Sequence, residues 1–255
     1  MTRTLRQIAV PAAAMLIFLL LWELLVWANS WPNFVMASPS DLPPAYARYW
    51  ELFLIGGWQT LWRTMLGLAL AVIFGVVLGM IMGFSRLARE ALYPLLVGFN
   101  AVPKATVVPI VALLFIGQHD LNTVLMAFMI SFFPIAVSIS IGLSTLEPEY
   151  RDILRSLGAS NTTIFWKIAL PKTLPEFFGA LKVSVTLAFI GTNLMEIVSP
   201  HGKGLGALFD SGRTNADYPL MFAVLIALAV LGIALFYVVV FLERIFAGWA
   251  ERAPG

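Results

Sequence analysis

Long apolar runs separated by short polar stretches dominate this 255-residue chain. A helix crosses a bilayer with about 20 apolar residues, because each backbone N–H and C=O must find its partner within the segment. The runs predict an all-α, polytopic fold with six transmembrane helices in a single domain, residues 1–255. The predicted spans are residues 8–28, 57–84, 92–116, 121–146, 177–198 and 219–242.

Prolines make the third and fourth predicted spans the least regular. Pro103 and Pro109 interrupt the third span, and only residues 117–120 separate it from the fourth. Proline removes a helical hydrogen bond and clashes with the preceding turn. An alternative interpretation is therefore that the two spans form one broken hairpin.

Charged residues are few, and they predict the orientation of the chain. Only 12% of the residues are charged and 60% are apolar, whereas soluble domains carry about 25% charged residues. With the N-terminus inside, basic residues concentrate in the cytoplasmic segments, as the positive-inside rule requires. Both termini and residues 147–175 are then expected in the cytoplasm. The cytoplasmic set is Arg3, Arg6, Arg86, Arg89, Arg151, Arg155, Lys167, Lys172, Arg244 and Arg252; the external set is Arg48, Lys203 and Arg213, with Arg63 just inside the second span.

Residues that could carry bond-making chemistry do not cluster in the sequence. The absence of cysteine excludes disulfides and thiolate metal sites, and the two histidines are isolated. The segment Gly202-Lys203-Gly204-Leu205-Gly206 lacks the Gly-Lys-Ser/Thr ending of a phosphate-binding loop and is interpreted as a flexible turn. We therefore predict no catalytic site, no metal site and no cofactor bound by this chain.

Small residues recur at every fourth position of the second span. In a membrane, such a stripe lets two helix backbones approach closely and pack by dispersion. The stripe predicts a tight helix contact, which is slightly more expected within the same subunit than with a second copy. Its members are Gly67, Ala71, Gly75, Gly79 and Gly83.

Two pairs of polar residues fall at membrane depth, where burial is costly unless the side chains face a cavity or a partner. Asn100 and Lys104 lie four residues apart on the third span and are predicted to share one helix face, and Asn193 and Glu196 lie three apart on the fifth and share another. We predict that both pairs line a translocation path in which Lys104 meets an anionic solute. The alternative is a structural Lys104–Glu196 ion pair, or a lysine that reaches the membrane surface.

A polar segment, residues 147–175, separates the fourth and fifth spans. Residues 150–157 predict a helix, Gly158 its end, and residues 159–162 the cap of a second helix. Pro171 and Pro175 mark the return into the membrane. The segment is longer than a simple connection needs, which indicates that something outside the membrane docks there.

The spacing from Gly158 to Pro171 resembles a known family. Gly158, nine residues, Ile168, one residue, then Leu170 and Pro171 is similar to the EAA loop of permease subunits from bacterial ATP-binding-cassette importers. Asp152, Ile153 and Leu154 depart from the glutamate and two alanines of that pattern. Further motifs resemble the nitrate, sulfonate and taurine branch, including residues 31–40, 75–85, 101–109, 133–134 and 204–206.

This resemblance implies a type I importer permease fold in the bacterial inner membrane. It implies a pair of permease copies, two cytoplasmic ATPase subunits that bind ATP and Mg, an external solute-binding protein and surrounding lipid, with no nucleic acid. The loop residues implied to couple to the ATPase are Asp152, Arg155, Gly158, Ala159, Ser160, Leu170 and Pro171.

The resemblance also implies a class of solute. A small organic or inorganic anion is expected, such as a sulfonate, taurine, nitrate or an aromatic acid. Import of a vitamin or pyrimidine precursor by the same mechanism is the alternative. From other classes, an ATP-independent carrier or channel would need no docking helix, and a membrane enzyme would need clustered acids or histidines.

Overall fold

The computed structural model describes residues 2–144, 156, 158, 160, 163, 165–199 and 202–249. Over these residues the chain is helical and contains no strand, which confirms the all-α prediction. A short 3₁₀ turn, Pro39–Asp41, and a π-helical turn, Phe165–Ala169, each lie directly before a longer helix. The helices are α1 Thr2–Ala28, α2 Leu42–Phe84, α3 Arg86–Ala101, α4 Lys104–Leu114, α5 His119–Ser144, α6 Leu170–Val198, α7 Leu205–Thr214 and α8 Tyr218–Phe246.

Four helical segments in the described part of the chain are long and apolar enough to cross a membrane: Pro39–Phe84, His119–Ser144, Lys167–Val198 and Tyr218–Phe246. The pair α3 and α4 forms a fifth candidate if it counts as one span, and α1 contributes a shorter apolar stretch, Ala13–Ala28. Thus the structure has the polytopic character that the apolar runs predict.

The third predicted span is two helices, and they meet at an angle of 90°. Val102 is extended, with φ −64° and ψ 126°, and Pro103 follows it. Proline disfavours the helical conformation of the residue before it, so α3 ends there. Asn100 and Lys104 therefore lie on different helices, and the prediction that they share one helix face is wrong.

The core lies where α2, α5 and α6 pack together. Ile135 of α5, Val185 of α6 and Ala71 of α2 are buried in one apolar cluster. In contrast, α8 packs mainly at the edge, and its apolar side chains are mostly exposed on the surface of the chain. The three inner helices thus form the frame that positions the polar groups described below.

The stripe of small residues on α2 faces α5 of the same chain. A Cβ atom on Gly67 would lie 2.9 Å from the Val124 carbonyl oxygen and would overlap the Ala127 side chain. On Gly79 it would lie 2.7 Å from the Ala136 carbonyl oxygen. Since real Cβ atoms do not approach this closely, the two helix backbones depend on glycine for their separation.

Gly67→Ala is expected to lower the free energy of unfolding by about 1–3 kcal/mol, because an added methyl group overpacks the contact between α2 and α5. Denaturation of the detergent-purified protein measures this change. Gly57→Ala is the matched control on the same helix, since a Cβ at Gly57 has no atom within 4 Å. Equal stability of the two variants would show that the contact between α2 and α5 does not require glycine at position 67.

Candidate functional site

Part of the predicted coupling loop is described by the structure. Gly158 has φ +83°, in the left-handed region that favours glycine, and a Cβ atom there would meet nothing within 4 Å. The Ser160 Oγ accepts a hydrogen bond from the Thr163 backbone N–H at 3.1 Å, the pattern of a helix N-cap. Both Gly158 and Ser160 are exposed. Asp152, Arg155 and Ala159 lie outside the described residues.

The end of this loop runs directly into the core. Leu170 and Pro171 form the first turn of α6, where proline is tolerated because its missing N–H has no helical partner. One turn later, Thr173 is buried, and its side chain occupies the space left by Gly142 of α5. The Thr173 hydroxyl also donates to the Ala169 carbonyl oxygen at 2.7 Å. Displacement of the loop would therefore act on both α5 and α6.

A second polar site lies between the middle of α2, the start of α5 and the end of α6. Its centre is Arg63, whose side chain is only 4% exposed. The Arg63 Nε donates to Asp120 Oδ1 at 2.8 Å, and its Nη1 donates to Glu196 Oε1 at 3.1 Å. Nη1 also donates to the Lys203 carbonyl oxygen. We call Thr60, Arg63, Asp120 and Glu196 the external cluster, after the side of the membrane that the charge distribution predicts for it.

The Glu196 carboxylate in this cluster is buried, and both of its oxygens accept hydrogen bonds. Its Oε2 accepts from the Thr60 hydroxyl at 2.8 Å and from the Gly206 N–H at 3.0 Å. The Thr60 oxygen accepts in turn from the Leu205 N–H at 2.9 Å. A buried ion pair is tolerated when its remaining hydrogen-bonding positions are filled, and these contacts fill them.

Glycine allows the 202–206 loop to close over Glu196. A Cβ atom on Gly204 would overlap the Glu196 carboxyl group, and one on Gly206 would lie 2.7 Å from the Glu196 Cβ. Gly204 and Gly206 are both buried. The interpretation of this segment as a flexible turn is therefore wrong: it is tightly packed, it runs into the first turn of α7, and its glycines make room for a carboxylate.

Gly204→Ala is expected to push Glu196 away from Thr60 and to lower the free energy of unfolding by about 1–3 kcal/mol, the usual effect of overpacking. Gly179→Ala on α6 is the control, because a Cβ at Gly179 has open space around it. Thermal denaturation of both variants in the same detergent measures the difference. If Gly204→Ala and the control denature at the same temperature, the loop does not depend on close approach to Glu196.

The predicted path residues do not form one cluster in the isolated chain. The Lys104 Nζ donates to the Phe99 carbonyl oxygen at 2.6 Å and lies 4.3 Å from the centre of the Phe99 ring. Glu196 pairs with Arg63, so the alternative Lys104–Glu196 ion pair is not formed. Asn100 is exposed on α3, and Asn193 donates to the Phe189 carbonyl oxygen at 2.8 Å.

Sequence reasoning missed the partnership of Arg63 with Asp120 and Glu196. Arg63 counts as a boundary charge when spans are assigned by hydropathy, and its acidic partners are 57 and 133 residues away along the chain. One signal was available: Arg63 and Glu196 both fall in apolar helices, and opposite charges at membrane depth are usually paired.

The fold and both sites can be compared with known proteins. The family described as "Binding-protein-dependent transport system inner membrane component" matches residues 75–250, more than half of the chain. The chain belongs to this family. As a binding-protein-dependent transport permease of the inner membrane, it is a transport component and not an enzyme, which confirms the family that the loop spacing indicated.

Individual relatives of this permease carry different solute names. It is 32% identical to the riboflavin transport system permease protein RibX of Chloroflexus aurantiacus, over 97% of this chain and 94% of that protein. It is also 32% identical to the formylaminopyrimidine transport permease protein ThiX of Halalkalibacterium halodurans, but over only 64% of each chain. The taurine transport system permease protein TauC of Escherichia coli is 26% identical over 91% of this permease and 85% of its own length.

A solved structure supports the fold of the permease. A chain from an inward-facing structure of the MetNI methionine ABC transporter superposes with a TM-score of 0.65 and 18% sequence identity. The match covers 78% of this permease and 98% of that chain. This similarity shows the importer permease fold, independently of what either protein transports.

Proposed function

We propose that two copies of this permease form the translocation path of an ATP-driven importer. An external binding protein delivers the solute, and two cytoplasmic ATPase subunits, which bind ATP and Mg, dock on residues 147–175. The observation that carries the proposal is the family match over residues 75–250, which includes the loop with Gly158. Both termini lie in the cytoplasm in this arrangement, as the basic residues favour.

The loop is suited to transmit movement because its C-terminal end is part of the core. An ATPase that moves the exposed turn at Gly158 pulls on the start of α6, where Thr173 packs against Gly142 of α5. Interfaces packed this closely move as rigid bodies and do not deform continuously. Closure of the ATPase pair would then tilt α5 and α6 together.

The external cluster has a role in the same movement. Arg63, in the middle of α2, bonds to Asp120 near the start of α5 and to Glu196 near the end of α6, and so links the three core helices. Because Asp120 is 62% exposed, its bond contributes less than the fully buried bond to Glu196. We infer that the cluster keeps the three helices together while they rock, so that movement at one surface reaches the other.

For the solute, we propose a ring-shaped vitamin or pyrimidine precursor. RibX, whose match covers 97% of this permease, is named for riboflavin, and ThiX is named for a formylaminopyrimidine. The Lys104 ammonium group was the reason to expect an anionic solute. In the structure it already donates to the Phe99 carbonyl oxygen and lies over the Phe99 ring. A small anion is the second candidate, because TauC is named for taurine.

Uptake into vesicles tests this proposal. The permease, its ATPase and its binding protein are reconstituted, and accumulation of riboflavin, a formylaminopyrimidine, taurine and nitrate is measured with and without ATP. We expect ATP-dependent accumulation of a ring compound that requires the binding protein. Accumulation of taurine or nitrate alone would identify an anion importer, and accumulation without ATP would contradict the importer function.

A further inference from the structure

The loop that follows α1 exposes large apolar side chains on the surface of the permease. Phe34 is 63% exposed, Val35 is 51% exposed, and Trp31 is exposed beside them. We call residues 29–36 the α1–α2 loop; this stretch contains no charged residue. A contiguous exposed apolar surface usually marks a contact with another protein or with a membrane.

The chain itself satisfies most backbone N–H groups of the α1–α2 loop. The N–H groups of Ser30 and Trp31 donate to carbonyl oxygens in the last turn of α1, at 3.1 and 3.2 Å. Ser30 has φ +48°, the left-handed conformation that often ends a helix in this way. The N–H groups of Val35 and Met36 both donate to the Pro32 carbonyl oxygen. Since a backbone group without a partner is costly away from water, these bonds suit the loop to the lipid interface.

The chain after the loop folds back against the last two turns of α1. The Glu23 carboxylate accepts hydrogen bonds from the Ser40 hydroxyl at 2.8 Å and from the Ser40 N–H at 3.1 Å. Trp22 and Val26 of α1 are buried in one apolar cluster with Leu42 of α2. The α1–α2 loop is therefore held at the level where α1 ends.

The exposed surface of the loop continues the exposed surface of α1. Between Met15 and Leu25, α1 exposes apolar side chains on most of its sides, and the solvent around such a helix in an inner-membrane protein is lipid. Trp27, in the last turn of α1, is 76% exposed and joins the two surfaces. Tryptophan is enriched at the boundary between hydrocarbon and headgroups. This continuity favours lipid over a protein partner as the occupant.

We propose that the α1–α2 loop is an interfacial lipid anchor, which inserts Trp31, Phe34 and Val35 among the headgroups and upper acyl chains where α1 ends. In the orientation that the basic residues favour, this is the outer leaflet. The anchor holds α1 and the start of α2 at a fixed depth while the core helices move. It needs no anionic lipid, because the loop carries no charge to pair with one. The proposal goes beyond the transport function and does not depend on the solute.

Fluorescence quenching in vesicles tests this proposal. The chain contains no cysteine, so Val35→Cys introduces a single thiol for an environment-sensitive fluorophore and keeps both aromatic rings of the loop. The full-length permease is reconstituted into phosphatidylcholine vesicles with iodide on both sides of the membrane, or with nitroxide-labelled lipid. We expect a nitroxide near the headgroup to quench the fluorescence, and a nitroxide at the end of an acyl chain or iodide to have little effect.

Ser211→Cys is the matched control. Ser211 is an exposed polar residue of α7, and a fluorophore there is expected to be quenched by iodide and not by labelled lipid. Replacement of Trp31 and Phe34 by serine in the Val35→Cys variant removes the aromatic rings of the anchor. This change is expected to shift quenching at residue 35 from labelled lipid to iodide. Should that variant fail to fold, the comparison of residues 35 and 211 decides the question.

Four outcomes would overturn the lipid anchor. Quenching at residue 35 by iodide and not by labelled lipid would place the loop in water, and strongest quenching by the chain-end nitroxide would place it in the hydrocarbon core. Protection from both quenchers would show that a second copy of the chain covers the loop. Protection from iodide that appears only after the binding protein is added would identify a protein-docking surface.

Discussion

Arg63→Ala is expected to lower the free energy of unfolding of the permease by about 3–5 kcal/mol, the usual effect of breaking a buried ion pair from one side. The substitution leaves the Glu196 carboxylate, which is 1% exposed, without its cation. It also removes the donor to the Lys203 carbonyl oxygen, so the 202–206 loop loses an attachment. Reversible denaturation in detergent measures the change.

Arg213→Ala provides the comparison for this prediction. Arg213 also bonds to an aspartate, Asp210, but the arginine side chain is 62% exposed and the pair lies three residues apart on α7. Exposed pairs of this kind contribute only about 0.2–1 kcal/mol. The double variant Arg63→Ala with Glu196→Gln is expected to regain part of the loss, because no unpaired charge remains. Equal stability of Arg63→Ala and Arg213→Ala would contradict the role of the external cluster.

Gly158→Asp is expected to abolish solute-dependent ATP hydrolysis by the assembled complex while the permease still inserts in the membrane. Gly158 has φ +83°, and a Cβ atom at this position would have nothing within 4 Å, so an added side chain clashes with no described part of this chain. Any loss of ATP hydrolysis in this variant must therefore come from backbone strain or from contact with a partner. ATPase activity of the reconstituted complex, with and without solute-loaded binding protein, measures the coupling.

The Gly158→Asn variant shows whether the loss of coupling in Gly158→Asp comes from backbone strain or from the charge of the aspartate. Asparagine enters the left-handed region more readily than most residues and matches aspartate in size, so its backbone strain is small. We expect Gly158→Asn to retain part of the stimulation that Gly158→Asp loses. Normal coupling in the aspartate variant would show that the turn does not contact the ATPase, and loss of insertion in both variants would show that Gly158 is structural.

Much of the fold was predictable because it depends on local properties of the chain. Apolar run lengths predict membrane helices, and the recurrence of glycine on α2 predicts a close helix contact, which the structure places against α5. The spacing from Gly158 to Pro171 indicated the importer permease family, which the comparison confirms. Each of these signals lies within a short stretch of consecutive residues.

The external cluster could not be predicted in the same way. Whether Arg63 meets Glu196 depends on how α2 and α6 pack, and the hydropathy of either helix carries no information about that. The bend of 90° between α3 and α4 is similar: Pro103 predicts a break, but contacts with α5 and α6 determine the angle. The 202–206 loop resembles a flexible turn in composition because glycine serves both flexibility and close packing.

Crosslinking from the loop of residues 147–175 tests the central claim most directly. The chain contains no cysteine, so Ser160→Cys and Ser211→Cys each introduce a single thiol at an exposed position. A thiol-attached photocrosslinker at residue 160 is predicted to join the permease to the ATPase subunit in the assembled complex, and the same reagent at residue 211 is predicted not to. An ATPase product from residue 211 and none from residue 160 would contradict the docking of the ATPase on this loop.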